Sequence, residues 1–283
     1  MSRIRNQFFW NTNRYSFEGR TSQSLVQEVI HDWRGMEPDR KISLLQEIGD
    51  RFARSHGVDN PPHVAEIENT NLYGSFTQYI NTIGIDMDSV KNPFQALDTI
   101  YHEETHNLTA IRRDTDPEMD PGERAVLMAN RWEYIGDAPG EGEIDRNNLQ
   151  TDEIISNLSA MKSVMQTSAE EEMNPDFEEY LQERLSYLNR LQADRERELQ
   201  QFQENSEMLP TEMQQLKDCY DHGNIPFNQR DEGMEFAENN PYFESAAQLQ
   251  VQMEEALSES YFLHMEEQQE EEETVELSYG TEL

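Results

Sequence analysis

The chain has 283 residues, a formal net charge of −36 and only 35% hydrophobic residues, with a pI near 4.3 and a mean hydropathy of −0.91. Such acidity argues against nucleic acid and anionic membranes as principal ligands, since both require a cationic surface. A single cysteine, Cys219, excludes an internal disulfide framework and any cysteine-rich zinc cluster.

Low apolar content at this length predicts a folded part joined to polar, partly extended helices. From Met1 to Trp10 there is charge and only a short apolar patch, Phe8-Phe9-Trp10, which does not make a secretory signal. No run reaches the length of a membrane span. The chain is therefore expected in the cytoplasm as synthesised, or to leave by a route that needs no cleaved signal.

Over residues 1–20, Phe8, Phe9, Trp10, Arg14, Tyr15 and Phe17 predict an irregular arm that packs on the domain. Leu25, Val26, Val29, Ile30 and Trp33 then recur at helical spacing, as do Ile42, Leu45, Ile48 and Phe52 after Pro38. Asp59-Asn60-Pro61-Pro62 breaks the pattern. Three β-type runs follow, over 63–67, 72–76 and 79–85, the last with Tyr79, Asn81, Ile83 and Ile85 on one face. They predict a small sheet. Asp86 and Asp88 sit in the next turn, with too few ligands nearby for calcium.

Asn92 as N-cap and Pro93 in the first turn open a helix that contains His102-Glu103-Glu104-Thr105-His106. Two histidines four residues apart on a helix point the same way and can grip one metal ion. The glutamate between them can act as general base toward a water. Leu97, Ile100, Tyr101, Leu108 and Ile111 cluster on the opposite side, so one face packs while the histidines look into a groove. Glu104 falls on the apolar side and needs a partner if buried.

A helix from Asp120-Pro121-Gly122 carries Ala125, Val126, Met128, Ala129 and Trp132 and ends near Ile135-Gly136. A loop over 137–143 leads to another from Thr151-Asp152, striped with Ile154, Leu158, Met161 and Met165. Beyond Gln166 the composition shifts. Asn174-Pro175-Asp176 starts a long amphipathic helix with Phe177, Leu181, Leu185, Leu188, Leu191, Leu199 and Phe202, closed by Leu209-Pro210. A short helix over Thr211–Tyr220 and a last one marked by Leu249, Met253, Leu257 and Tyr261 follow. There is no lysine or arginine after Arg230, and the acidic run from Glu266 to Glu273 is expected to be disordered.

A catalytic zinc takes three protein ligands and leaves a position open. His102 and His106 supply two. The remaining histidines (His31, His56, His63, His222, His264) are scattered, which leaves a carboxylate. Glu123 and Glu153, each in the first turn of its helix, are the candidates.

From Asn92 to His106 the chain resembles the N-P-x-x-A-L-x-T-x-x-H-E-x-x-H entry of a group of bacterial zincin-type metallopeptidase domains of the toxin and effector kind. In that group a W-x-x-N-like helix and then a Q-x-x-E-x-x-A helix follow. Ala129–Tyr134 loosely matches the first, and Gln150–Asn157 resembles the second, with Ser156 where a small residue is expected. The likeness covers roughly residues 70–165.

The resemblance selects Glu153 as third ligand and leaves Glu123 as the alternative. It implies Zn2+ as cofactor, Glu103 as catalytic base, an edge strand holding an extended protein or peptide substrate, and an oxyanion donor such as Tyr134, Tyr73 or Tyr79. Asn157, Asp98 and Asp152 are candidates to hold the outer imidazole nitrogens.

The expected fold is thus α+β and helix-rich. A zincin-like domain covers 1–170, with the arm and first helices to 58 and the sheet and zinc site over 60–165. A helical packing or interaction region follows over 171–265, and an acidic disordered tail over 266–283. The expected function is a zinc-dependent endopeptidase. The competing expectation is a non-catalytic zincin-fold or acidic helical protein that engages a basic protein partner through its C-terminal part.

Overall fold

The computed structural model describes residues 15–68, 72–135, 143–168, 171, 174–226 and 229–280, and for 261, 262 and 264–280 the backbone alone. Most of the expected N-terminal arm and the glycine-rich loop before Glu143 lie outside these residues. Of the arm's aromatics, Tyr15 and Phe17 are described, and the Arg40 guanidinium lies 4.7 Å from each ring centre.

Two helices come first, α1 (Ser22–Asp32) and α2 (Pro38–Ser55). Thr21 caps α1 by accepting from the Ser24 N–H at 3.1 Å. The strands follow as β1 (His63–Ile67), β2 (Gly74–Thr77) and β3 (Thr82–Asp86), in the order β1-β3-β2. β1 runs parallel to β3 with His63 opposite Thr82, and β2 runs antiparallel to it with Gly74 opposite Ile85.

The expected strand from Tyr79 to Ile85 is shorter than its periodicity suggests. Gln78–Ile80 is a turn of 3₁₀ helix, and Asn81 leaves it with φ at 48° while its side chain donates to the Asn60 carbonyl at 3.2 Å. Asparagine tolerates that left-handed backbone better than any residue but glycine. Tyr79 therefore points to solvent, 96% exposed, whereas every residue of β3 is buried. A central strand covered on both faces shows no alternation.

α3 (Pro93–Thr115) is capped by Asn92, whose Oδ1 accepts from the Phe94 N–H at 2.8 Å. α4 (Pro121–Trp132) is capped by Asp120, and α5 (Thr151–Thr167) packs along α3 in the most extensive helix pairing of the fold. The rest is helical: α6 (Pro175–Glu204), α7 (Thr211–Asp221), α8 (Arg230–Glu238) and α9 (Tyr242–Gly280). α8 is an element that periodicity did not single out. Its buried residues are only Gly233 and Ala237, too small a stripe to show as a hydrophobic pattern.

The acidic run expected to be disordered continues α9 as helix to Gly280. Glutamate, glutamine, leucine and methionine are good helix formers, and neither proline nor glycine interrupts them between Pro241 and Gly280.

One hydrophobic cluster joins Leu45, Ile85, Phe94 and Ile154 to Tyr180, Leu188 and Leu249. α6 and the first turns of α9 thus belong to the same core as the sheet and α3. A smaller cluster, including Val126, Leu216 and Ala237, ties α4 to α7 and α8. Cys219 is buried there, and burial pushes its thiol up to about 11, which leaves it a packing residue.

α3 is more deeply embedded than a one-faced helix. Leu97, Ile100 and Tyr101 are buried, but so are Thr99, Glu103, Glu104 and Thr105; Ile111, expected on the packing face, is exposed. Glu104 has no exposed surface, and neither of its oxygens has a hydrogen-bond partner of good geometry. Burial, helped by the charge of Asp50, pushes its carboxyl up to about 8 against an opposing influence from Asn107.

A carboxyl whose folded pKa is raised stabilises the fold below its unfolded value, here 4.5, and that contribution is lost as pH climbs through about 8. Glu104→Gln should therefore become more stable than wild type above pH 8, by a few kcal/mol, and should match it near pH 4.5. Urea unfolding midpoints across this pH range measure the difference. Parallel pH profiles for the two proteins would show that Glu104 does not titrate in this window.

Candidate metal centre

His102 and His106 lie one turn apart on α3, and Glu153 comes from the first turn of α5. The two Nε2 atoms are 3.0 Å apart. Glu153 Oε2 is 3.5 Å from His102 Nε2, and Oε1 is 3.6 Å from His106 Nε2. Among the described residues these three form the group able to hold a metal ion, with one ligand atom from each lying within 4.8 Å of the others. Two imidazole nitrogens and a carboxylate converging this closely are a donor set of the kind that a divalent cation satisfies.

The surroundings set the orientation of each ligand. Asp152 Oδ2 accepts from His106 Nδ1 at 3.0 Å, which turns Nε2 inward. The Asp152 N–H donates to Asn130 Oδ1 at 3.2 Å, and Asn130 Nδ2 donates in turn to Gln215 at 3.0 Å. Glu153 is also held by the Tyr134 hydroxyl, which donates to Oε1 at 3.2 Å. Burial pushes the Glu153 carboxyl up, but the two histidines and Tyr134 outweigh it and bring it to about 2. Burial lowers the pKa of His106, yet Asp152, Glu153 and Glu103 together raise it to about 10.

Of the three residues expected behind the imidazoles, Asp152 stands there. Asp98 instead accepts from Tyr180 at 2.7 Å and pairs with Arg184. Asn157 accepts from Arg184 at 3.3 Å and donates to the Glu153 carbonyl at 2.9 Å. Arg184 of α6 therefore clamps α3 to α5 beside the ligands. Glu123 lies outside the cluster: its Oε1 accepts from the Tyr242 hydroxyl at 2.7 Å. Asn130, Gln215 and Arg184 escaped the sequence reading because polar residues inside helical stripes reveal no partner until the helices are assembled.

The cluster opens into a cleft of 480 Å3 between β2, α3 and α5. Glu103 lines it beside the histidines and is buried; burial raises its carboxyl, while His102 and His106 pull it back and the Phe76 N–H donates to it. β2 is an edge strand and crosses α3 at close quarters. A Cβ at Gly74 would fall 2.6 Å from Thr99 Cγ2 and 3.2 Å from Glu103 Oε1.

Large apolar side chains stand exposed on the segments that border this cleft: Leu72, Tyr73, Tyr79, Ile80, Trp132 and Tyr134. Among the described residues only Met208, Val251 and Ile111 complete the set of large exposed hydrophobics. Leu72 and Tyr134 line the cleft itself, so its mouth offers apolar surface to a ligand.

No protein-family model, curated protein or solved structure matches this chain. Among the described residues, no helix is long and apolar enough to cross a membrane.

Two outcomes test the construction of the site. Asp152→Asn removes the charge behind His106 and should weaken divalent-metal affinity by about tenfold or more, read by competition with a chelating dye; an unchanged affinity would show that Asp152 does not orient His106. Gly74→Val should displace β2 from α3 and disturb Glu103, so that metal affinity stays near wild type while amide exchange on β2 accelerates. Unaltered exchange would show that the strand tolerates a side chain there.

Proposed function

We propose that this chain is a zinc-dependent peptidase with a zincin-like core. The carrying observation is the convergence of His102, His106 and Glu153 at one point of an open cleft, with the Glu103 carboxyl beside them. Two imidazoles, a carboxylate and a remaining open side suit zinc better than magnesium or calcium, which prefer oxygen ligands throughout. When bound, the metal would polarise a carbonyl and acidify a water at that position.

The protein's own groups account for the remaining work. Glu103, whose carboxyl burial raises while His102 and His106 pull it back, accepts a proton from the attacking water and returns it to the departing amine. Tyr134 faces the same space; the residue is exposed, but its hydroxyl is part-buried against Glu153, and that desolvation and the neighbouring carboxylate raise it well above the usual range. It stays protonated and, by turning its hydroxyl away from Glu153, can donate to an oxygen that gains charge. The open edge of β2 offers backbone groups to an extended chain, which would lie across the cleft as a further strand. The exposed aromatic and aliphatic border favours a polypeptide over a small polar substrate.

A non-catalytic role, in which the acidic surface engages a basic protein, is the second reading; the observation behind it is the −36 charge. Zinc content and cleavage of a mixed peptide library separate the two. Wild type should bind one zinc and cleave. Glu103→Ala should keep zinc and lose at least about a hundredfold in kcat/KM. Glu153→Ala should lose zinc, and Glu123→Ala should keep both zinc and activity. Undiminished cleavage by Glu103→Ala would overturn the mechanism, and zinc-loaded wild type that cleaves nothing would favour the second reading.

A further inference from the structure

His102, His106, Ala110 and Arg113 succeed one another at spacings of four, four and three, so they form one stripe along α3, and all four line the cleft. Arg113 lies about 10 Å beyond His106 along the helix axis at 1.5 Å per residue. An extended chain covers that distance in about three residues. Arg131, from the last turn of α4, lines the same end of the cleft.

Acidic residues outnumber basic ones 58 to 22 in the chain, yet at this end of the cleft, with Arg124 close by, two guanidinium groups, Arg113 and Arg131, share the carboxylate of Asp114. Arg113, with a side chain only 6% exposed, grips it through Nε at 2.8 Å and Nη2 at 3.1 Å. Arg131 approaches it at 3.7 Å with half its side chain in solvent. Arg124 donates to the carbonyls of Arg113 and Asp116. Of the two arginines on Asp114, the one nearest the solvent, Arg131, is the more loosely held.

We propose that Arg131, backed by Arg113, forms a subsite that receives a carboxylate of the polypeptide, some three residues from the position over His102 and His106. The carboxylate is either an aspartate or glutamate side chain or the free C-terminus of the ligand. This assignment rests on the peptidase reading for the polypeptide nature of the ligand. The chain's overall negative field repels acidic peptides at long range, so the preference must arise from close contact at this one place. A planar, always-charged guanidinium is suited to such a contact.

The test measures binding, so that it does not depend on turnover. Zinc-loaded Glu103→Ala protein is titrated with three sets of labelled peptides of otherwise neutral sequence. The first is amidated and carries one glutamate walked along the chain, the second has a free C-terminal carboxylate, and the third is amidated and neutral. One of the first two sets should bind about tenfold more tightly than the third, and which one does so identifies the source of the carboxylate.

In an Arg131→Gln background the advantage should vanish, and in Arg131→Glu a lysine-bearing peptide should bind best. Thermal midpoint and zinc content should be unchanged, since Arg131 is exposed. Equal binding of all sets, absence of binding by any, or an advantage that survives Arg131→Gln would each overturn the subsite. An Arg131-dependent preference in a protein whose wild type cleaves none of the peptides would uphold the subsite and sink the peptidase reading instead.

Discussion

His102, His106 and Glu153 come from two helices, and they meet at one point only while α3 and α5 hold a fixed register. Packing of apolar side chains brings the helices together but tolerates some sliding. Directional contacts remove that freedom. Thr105 donates to Ser159 across the pair at 3.0 Å, and Arg184 reaches from α6 to Asp98 on one helix and Asn157 on the other. At the start of α5, the N–H groups of Thr151 and Asp152 donate to Glu212 and Asn130. These are donors that a helix terminus leaves without internal partners. Fixing them fixes the turn that carries both Glu153 and the carboxylate behind His106.

Glu103 and Glu104 show how much position decides. The two are adjacent in sequence and both are buried. Glu103 faces the cleft, with two imidazoles and the Phe76 N–H to moderate the cost of its charge. Glu104 faces α2 at Gly49, where a Cβ would come within 3.0 Å of its Oε1. One carboxyl is thereby suited to exchanging a proton, and the other is held neutral around pH 7 as a constituent of the core.

The parts of this arrangement that were legible in the sequence are those that local spacing determines. The four-residue interval of the histidines and the Asn92-Pro93 start depend on helix geometry alone. So does the need of Glu104 for a partner, which the fold leaves unmet. Glu153 was reached through resemblance to a motif rather than through spacing, and the geometry brings it to the histidines while leaving Glu123 with Tyr242. What stayed hidden depends on chain segments far apart. Asp98 looked available for an imidazole until α6 supplied Arg184. The small-residue helix α8 carries too little apolar surface to announce itself, and β3 loses its alternation because both its faces are covered.

The buried carboxylates of the C-terminal helices form a relay of supports. Glu198 on α6 accepts from the Thr211 N–H at 2.6 Å and so fixes the start of α7; Glu212 on α7 accepts from the Thr151 N–H at 2.7 Å and so fixes the start of α5. Asn240, just before α9, donates to both Glu212 and Thr151. The turn at Asp152 and Glu153 is therefore completed by residues that a ribosome makes some ninety positions later. A nascent chain holding both histidines and Glu153 would still lack the groups that set their geometry. The convergence of His102, His106 and Glu153 is thus coupled to completion of the fold rather than to synthesis of the three residues themselves.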